Sequence, residues 1–287
     1  MKYSLCTISF RHELVSFEHL IEYAHRTGFA GIELWGVHAR ALAHTFQSQI
    51  EPWMSKLKSY GLKIPMISDY VGLMDNQSPP SAMNMKLQEW IDLAYRFETR
   101  QIRIFAGHLG SSQADDEQWE LCMDRLRKLT EKLAENGLTL VLETHPNTLA
   151  DTLDSTLRIL KEVDHSSLRI NLDFLHIWEG GSDPIEAYQA LKPWISHFHM
   201  KNVTEPEQLA IFQPQNVYSP SGLREGMVSL REGIVDFERI VTCLTDDDVD
   251  CCASLEWFGK EPFQYLSGEM EWLRHVSTPS IPYEVRR

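Results

Sequence analysis

Short apolar runs of strand period alternate with longer segments of helical period along the whole chain. Strand-like stretches fall at 3–10, 30–35, 63–70, 101–107, 139–145, 168–176, 195–202 and 252–258. Amphipathic helical patterns follow most of them, at 17–27, 47–60, 81–99, 115–136, 151–163, 184–192, 236–244 and 263–275. Gly28, Gly61 and Gly137 stand just past three of these helices, where a left-handed terminal residue is favoured. Eight strands alternating with eight helices predict an α/β fold, a single (β/α)8 TIM barrel. No break in composition marks a second domain, so residues 1–276 form the barrel. Residues 277–287, STPSIPYEVRR, are expected to be an exposed, poorly ordered tail. Residues 203–235 make a long loop after the seventh strand, expected to act as a partial lid over the barrel mouth.

Side chains alternate across a strand, so parity separates two faces. In the fifth strand Thr139, Val141, Glu143 and His145 oppose Leu140 and Leu142. In the sixth, Asn171 and Asp173 oppose Ile170, Leu172 and Phe174; in the seventh, His197, His199 and Lys201 oppose Phe198 and Met200. Ser254 and Glu256 oppose Leu255 and Trp257, Arg103 opposes Ile102 and Ile104, and Glu33 opposes Ile32 and Leu34. A barrel gives both faces a use. The apolar face packs on the helix ring, and the polar face lines the interior and the mouth, where barrel enzymes place their chemistry.

Four runs end in a residue able to bind a divalent metal: LTLVLETHP at Glu143, LRINLDFLH at Asp173, ISHFHMKN at His199 and CASLEWFG at Glu256. The first three follow one another at 30 and 26 residues, close to the length of one βα unit. Three carboxylates and one imidazole suit Mn²⁺ or Mg²⁺, with Co²⁺, Zn²⁺ or Fe²⁺ tolerated by the imidazole. His145, two residues beyond Glu143, is placed to remove a proton or to hydrogen-bond a ligand. His176, just past Asp173, is a second acid/base or substrate donor. Lys201 either steadies a developing oxyanion or pairs with an inward acid such as Glu33. Arg103 either grips a substrate carboxylate or forms an ion pair. Tyr70 and Tyr218 offer hydroxyls, and Glu33 a further inward carboxylate for substrate. His12, His38, His44, His108 and Trp178 are outlying candidates near strand ends.

Charge and cysteine usage narrow the partners. With 27 basic and 41 acidic residues the formal net charge is −14, which disfavours nucleic acid but leaves room for a small anion beside a local cation cluster. Five cysteines, an odd count with no C-x-x-C pair, point to reduced thiols in the cytoplasm. The start, MKYSLCTISF, reads as a strand rather than a signal peptide, and no apolar run has the length to span a membrane. A homo-oligomer is compatible with this composition.

The strings TISFRH, GIELWG, ISDY, LETHPNTL, INLDFLHIWE, PQNVY and ASLEWFG together resemble one group. They are similar to the bacterial 3-dehydroshikimate dehydratases of the petrobactin siderophore type, within the xylose-isomerase-like barrels. The resemblance runs from residue 3 to about residue 275. It implies a metal at Glu143, Asp173, His199 and Glu256, and substrate or acid/base roles for Arg103, His145, His176 and Lys201 with Tyr70 beside them. The implied reaction converts 3-dehydroshikimate, a small anionic cyclic ketone, to protocatechuate and water, for siderophore synthesis or for quinate and shikimate breakdown. Two other readings compete. A sugar or hydroxypyruvate isomerase or epimerase would use the same barrel, but inward His145, Lys201 and Arg103 favour a carboxylate-bearing substrate. A non-catalytic metal- or ligand-binding protein would bind without turnover. A barrel endonuclease is disfavoured by the charge.

Overall fold

The computed structural model describes residues 1–75 and 80–277. Eight parallel strands close into a barrel: β1 Lys2–Cys6, β2 Gly31–Trp35, β3 Ile67–Ser68, β4 Gln101–Ile104, β5 Thr139–Glu143, β6 Leu168–Asp173, β7 Ile195–Met200 and β8 Cys252–Leu255. Each strand pairs with its sequence neighbours, and β8 returns to β1 through Lys2 opposite Cys252. The predicted barrel is thus formed. Of the tail, Ser277 is described and shares a hydrogen bond with the Tyr3 hydroxyl; the rest lies outside the described residues.

Parity sorts the side chains as expected. Ile32, Leu34, Ile102, Ile104, Leu140, Leu142, Ile170, Leu172, Phe198 and Met200 are buried in the apolar core. At about 1.5–3 kcal/mol for each large aliphatic or aromatic side chain removed from water, this layer supplies much of the driving force. The interior is unusual for a barrel, whose centre is commonly filled by branched aliphatics. Here Ser4, Glu33, Arg103, Glu143, Asn171, Asp173, His197, His199 and Ser254 are all buried. A charged interior costs stability and requires partners for each group.

Several element limits differ from the sequence expectation. The first strand ends at Cys6 and residues Thr7–Phe10 turn into a 3-10 helix. The third strand keeps only Ile67–Ser68 of the expected 63–70, with Lys63 making an isolated bridge to Gly31. An unexpected helix, Gly36–Thr45, follows β2 directly and precedes the helix Ile50–Ser59. The sixth strand stops at Asp173. That carboxylate accepts from the backbone N–H groups of Leu175 and His176 at 3.1 and 3.2 Å, starting the helix Phe174–Glu179. An aspartate in this position satisfies amides that a helix N-terminus leaves free, and so ends the strand.

The long connection after β7 carries its own structure. Asn202–Val203 pairs antiparallel with Met227–Val228, and between them lie a 3-10 segment Pro206–Phe212 and a short helix Pro214–Val217. Buried Asn202 donates to the carbonyls of Leu230 and Val235, each at 2.8 Å. Arg11 donates to the carbonyls of Val217 and Phe258 at 2.5 and 3.1 Å, tying this connection to the ends of β1 and β8.

Candidate active site

The short β3 is fixed by the residue after it. Asp69 is buried and receives Arg40 at 2.7 and 3.1 Å, the Trp90 indole N–H at 2.7 Å and Lys86 at 2.6 Å. These partners hold the carboxylate below its ordinary range against the opposing effect of burial. The hub orders the chain between Ser68, which points into the barrel, and Tyr70, which reaches the mouth.

At the C-terminal end of the barrel Glu143, Asp173, His199 and Glu256 offer ligand atoms that all lie within 4.8 Å of one another. His199 Nδ1 stands 3.3 Å from Glu143 Oε1 and 3.4 Å from Glu256 Oε2. Lys201 bonds both Asp173 and Glu256, the latter at 2.6 Å. It does not pair with Glu33. Arg103 Nε lies 2.9 Å from Glu143 Oε2, so the ion-pair role expected as an alternative is present.

The electrostatics fit a divalent cation. Four buried carboxylates (Glu33, Glu143, Asp173 and Glu256) face two fixed buried cations, Arg103 and Lys201. Two negative charges remain, which one divalent ion balances while the imidazoles stay neutral. The oxygen-rich donor set suits a hard ion. Burial opposes charge on His199, yet Glu256, Glu33 and Glu143 outweigh it and raise the imidazole well above its ordinary value, so a proton and a divalent ion compete for the same carboxylates. Burial likewise opposes ionisation of Glu143, but Arg103 and His199 hold it well below the carboxylate range. Burial acts the same way on Asp173, and Lys201 outweighs it to hold that carboxyl below its ordinary value.

Above the ligand set lies a cavity of about 80 Å³. Tyr70, Arg103, His145, His176, Lys201 and Tyr218 all line it, together with Glu143 and Glu256. His145 Nδ1 is 2.8 Å from the Pro146 carbonyl, so that nitrogen carries the proton and Nε2 keeps its lone pair. Desolvation and the adjacent His176 push His145 down to about 3, so the ring is neutral. His176 Nδ1 lies 2.8 Å from Glu179 Oε2, and the buried Nε2 of His176 has no hydrogen-bond partner among the described residues. The two imidazole rings are 4.4 Å apart. Burial raises the Tyr70 hydroxyl above its ordinary value, which keeps it a proton donor. The Arg103 guanidinium lies over the Tyr70 and Phe105 rings at 5.4 and 4.8 Å, and its Nη1 has no hydrogen-bond partner among the described residues.

Other candidates fall elsewhere. Glu33 does not line the cavity; it lies below the ligand set, fully buried. Tyr218 stays in the cavity wall and also stacks on Trp35 with ring centroids 6.0 Å apart. His12 Nε2 is 3.2 Å from the Val217 carbonyl, His38 packs edge-on to Trp35, and His44 and His108 are exposed. Trp178 packs on the core, and none of these five lines the cavity. Sequence reasoning missed Ile8, Phe105, Phe212, Val217 and Phe258 as its apolar walls, and Glu179 as the partner of His176. For Glu179 the i,i+3 spacing within a helix was the available signal.

Comparison with known proteins agrees with this geometry. The model of the xylose isomerase-like TIM barrel family matches residues 21–276. The chain is 46% identical over 273 residues to a 3-dehydroshikimate dehydratase of Bacillus anthracis, covering 95% of this chain and 96% of that protein. It superposes on the crystal structure of the probable 3-DHS dehydratase AsbF, involved in petrobactin synthesis in Bacillus anthracis, with a TM-score of 0.92. That match has 46% identity and covers 96% of this chain and 99% of that one. The IOLI protein, solved with a bound zinc atom, shares the fold at 15% identity and a TM-score of 0.73, over 96% of each chain. The eight-stranded barrel, its acidic interior and these likenesses lead to one assignment: the chain belongs to the xylose isomerase-like TIM barrel family.

Proposed function

We propose that this protein is a metal-dependent 3-dehydroshikimate dehydratase, converting its substrate to protocatechuate and water. One observation carries the reading. His145, His176, Tyr70, Arg103 and Lys201 share a single cavity with the ligand carboxylates Glu143 and Glu256. The 46% identity with a 3-dehydroshikimate dehydratase across nearly the whole chain supports it.

Glu143, Asp173, His199 and Glu256 would hold one divalent ion, Mn²⁺ or Mg²⁺ by donor type. When bound it would polarise the substrate ketone and make the neighbouring C–H more acidic. Nε2 of His145, neutral and free, takes the proton from the carbon between the ketone and the beta hydroxyl. Lys201, fixed by Asp173 and Glu256, balances the negative charge that develops. His176, oriented by Glu179, delivers a proton to the departing hydroxyl, which leaves as water. Tyr70 stands beside Arg103 as a second hydroxyl donor to the ring. Arg103 binds the carboxylate through its unpartnered Nη1. A final proton shift aromatises the ring and makes the reaction run one way.

The cavity is well below the roughly 300 Å³ at which ligand sites usually begin. Phe212, Pro214, Val217 and Tyr218 roof it, so this part of the long connection moves aside to admit substrate. All five cysteines are free thiols, which fits work in the reducing cytoplasm. Among the described residues no helix is long and apolar enough to cross a membrane. Siderophore synthesis is the use of the product favoured by the petrobactin relative.

The test is absorbance of protocatechuate formed from 3-dehydroshikimate by EDTA-stripped protein, with Mn²⁺ or Mg²⁺ added back. Turnover that appears only after metal is restored is the expected result. No protocatechuate under any metal, with ketose isomerisation instead, would favour the isomerase reading.

A further inference from the structure

Below the ligand set the barrel interior holds a second polar layer. Glu33 on β2 reaches across to β7, where its two oxygens lie 3.1 and 3.0 Å from His199 Nε2. The opposite ring nitrogen, Nδ1, faces the ligand carboxylates of Glu143 and Glu256. An imidazole that donates from one nitrogen presents a lone pair at the other. We infer that Glu33 is a positioning residue for the metal centre: it fixes the tautomer and ring angle of His199 so that Nδ1 is the ligand atom.

The surroundings of Glu33 support this. Its side chain is fully buried and touches no part of the substrate cavity. Ser68 donates its hydroxyl to Oε1, and His197 Nε2 lies 3.3 Å from Oε2. His197 is held in turn by Ser254 at 2.8 Å, and Ser254 by Ser4 at 2.8 Å. The carboxylate is therefore locked from three sides and cannot swing toward the mouth. A carboxylate on the far nitrogen of a ligating histidine also makes that imidazole a stronger ligand, and removing it commonly costs about 10–100-fold in metal affinity.

The same atoms admit a rival use. Glu33, His197 and His199 themselves cluster closely enough to hold an ion. Nε2 of His199 cannot both donate to Glu33 and ligate, and His197 Nε2 is already shared with Ser254. The positioning role therefore requires one ion per chain.

This inference rests on the metal reading of the Glu143 cluster and is independent of the substrate. The experiment measures Mn²⁺ stoichiometry and affinity by calorimetry, with circular dichroism and metal-free melting as fold controls. Wild type should bind one Mn²⁺ per chain. Glu33→Gln, which keeps shape but loses charge, should bind one Mn²⁺ about 10–100-fold more weakly. Ser68→Ala should shift affinity in the same direction by less, and serves if Glu33→Gln does not fold. Unchanged affinity in the folded variants overturns the inference, as do two ions in wild type with one lost in Glu33→Gln. If wild type binds no Mn²⁺ and Glu143→Gln changes nothing, the metal reading itself has failed.

Discussion

The ammonium of Lys201 lies 2.6 Å from Oε2 of Glu256, and both side chains are almost wholly buried. The same ammonium bonds Asp173, so one cation serves two of the four candidate ligands. Removing one partner of a buried ion pair costs about 3–5 kcal/mol, because a charge is left without compensation. Lys201→Met should therefore melt well below wild type in EDTA. A divalent ion restores the lost positive charge, so added Mn²⁺ should raise the variant's melting temperature by more than it raises wild type's. Equal melting of the two proteins in EDTA would mean that the pair contributes nothing to stability.

Ligand and base are separable. Glu143 belongs to the metal cluster, whereas His145 lines the cavity without belonging to it. Glu143→Gln should lose both bound metal and turnover. His145→Ala should retain metal and lose about 10²–10⁴ in kcat, the usual contribution of a positioned general base. Elemental analysis beside the protocatechuate assay distinguishes the two. Loss of metal in His145→Ala would move that residue from chemistry to ligand support.

Arg103 has one nitrogen beside Glu143 and Nη1 without a hydrogen-bond partner among the described residues. A lysine retains the charge but not the planar fork. Arg103→Lys should raise KM for 3-dehydroshikimate by about 10–100-fold, the worth of one hydrogen bond between charged groups. An inhibitor with the same ring and no carboxylate should bind both proteins equally. A matching loss for that inhibitor would show that Arg103 acts only through Glu143.

How far the sequence foretells this site depends on distance along the chain. The helix Phe17–Thr27 matches its predicted limits because its signals are local: Ser16 accepts from His19 N, and Gly28 adopts φ 80°. The helix Gly36–Thr45 leaves little trace in the sequence because it follows β2 with no polar turn and shows only a weak apolar stripe. The start of Phe174–Glu179 reads as strand because apolar residues run on through the Asp173 cap. Parity places Glu143, His199 and Lys201 on the inner face, since alternation is a local rule. Which inward groups meet is not local. β2 and β7 lie apart in the barrel order, so the contact of Glu33 with His199, rather than with Lys201, needs three-dimensional closure.

Away from the chemistry, one buried carboxyl makes stability depend on pH. Glu269, in the helix Pro262–Val276, is buried with both oxygens 3.3 Å from the Leu230 backbone N–H. Burial raises its carboxyl to about 7, against the lowering effects of Leu230 N–H and Tyr265. In the unfolded chain this group titrates near the ordinary 4.5. Between those values the folded protein keeps a proton that the unfolded chain releases. Folding stability from this group is thus fully present below pH ~4.5 and is lost as pH rises through about 7. The loss amounts to about 3 kcal/mol at most, since each tenfold change in proton affinity is worth about 1.4 kcal/mol. Glu269→Gln stays neutral and avoids it. Urea unfolding from pH 5 to pH 8 should show the variant gaining on wild type as pH rises. A difference that stays constant across that range would show that Glu269 is not protonated in the folded protein.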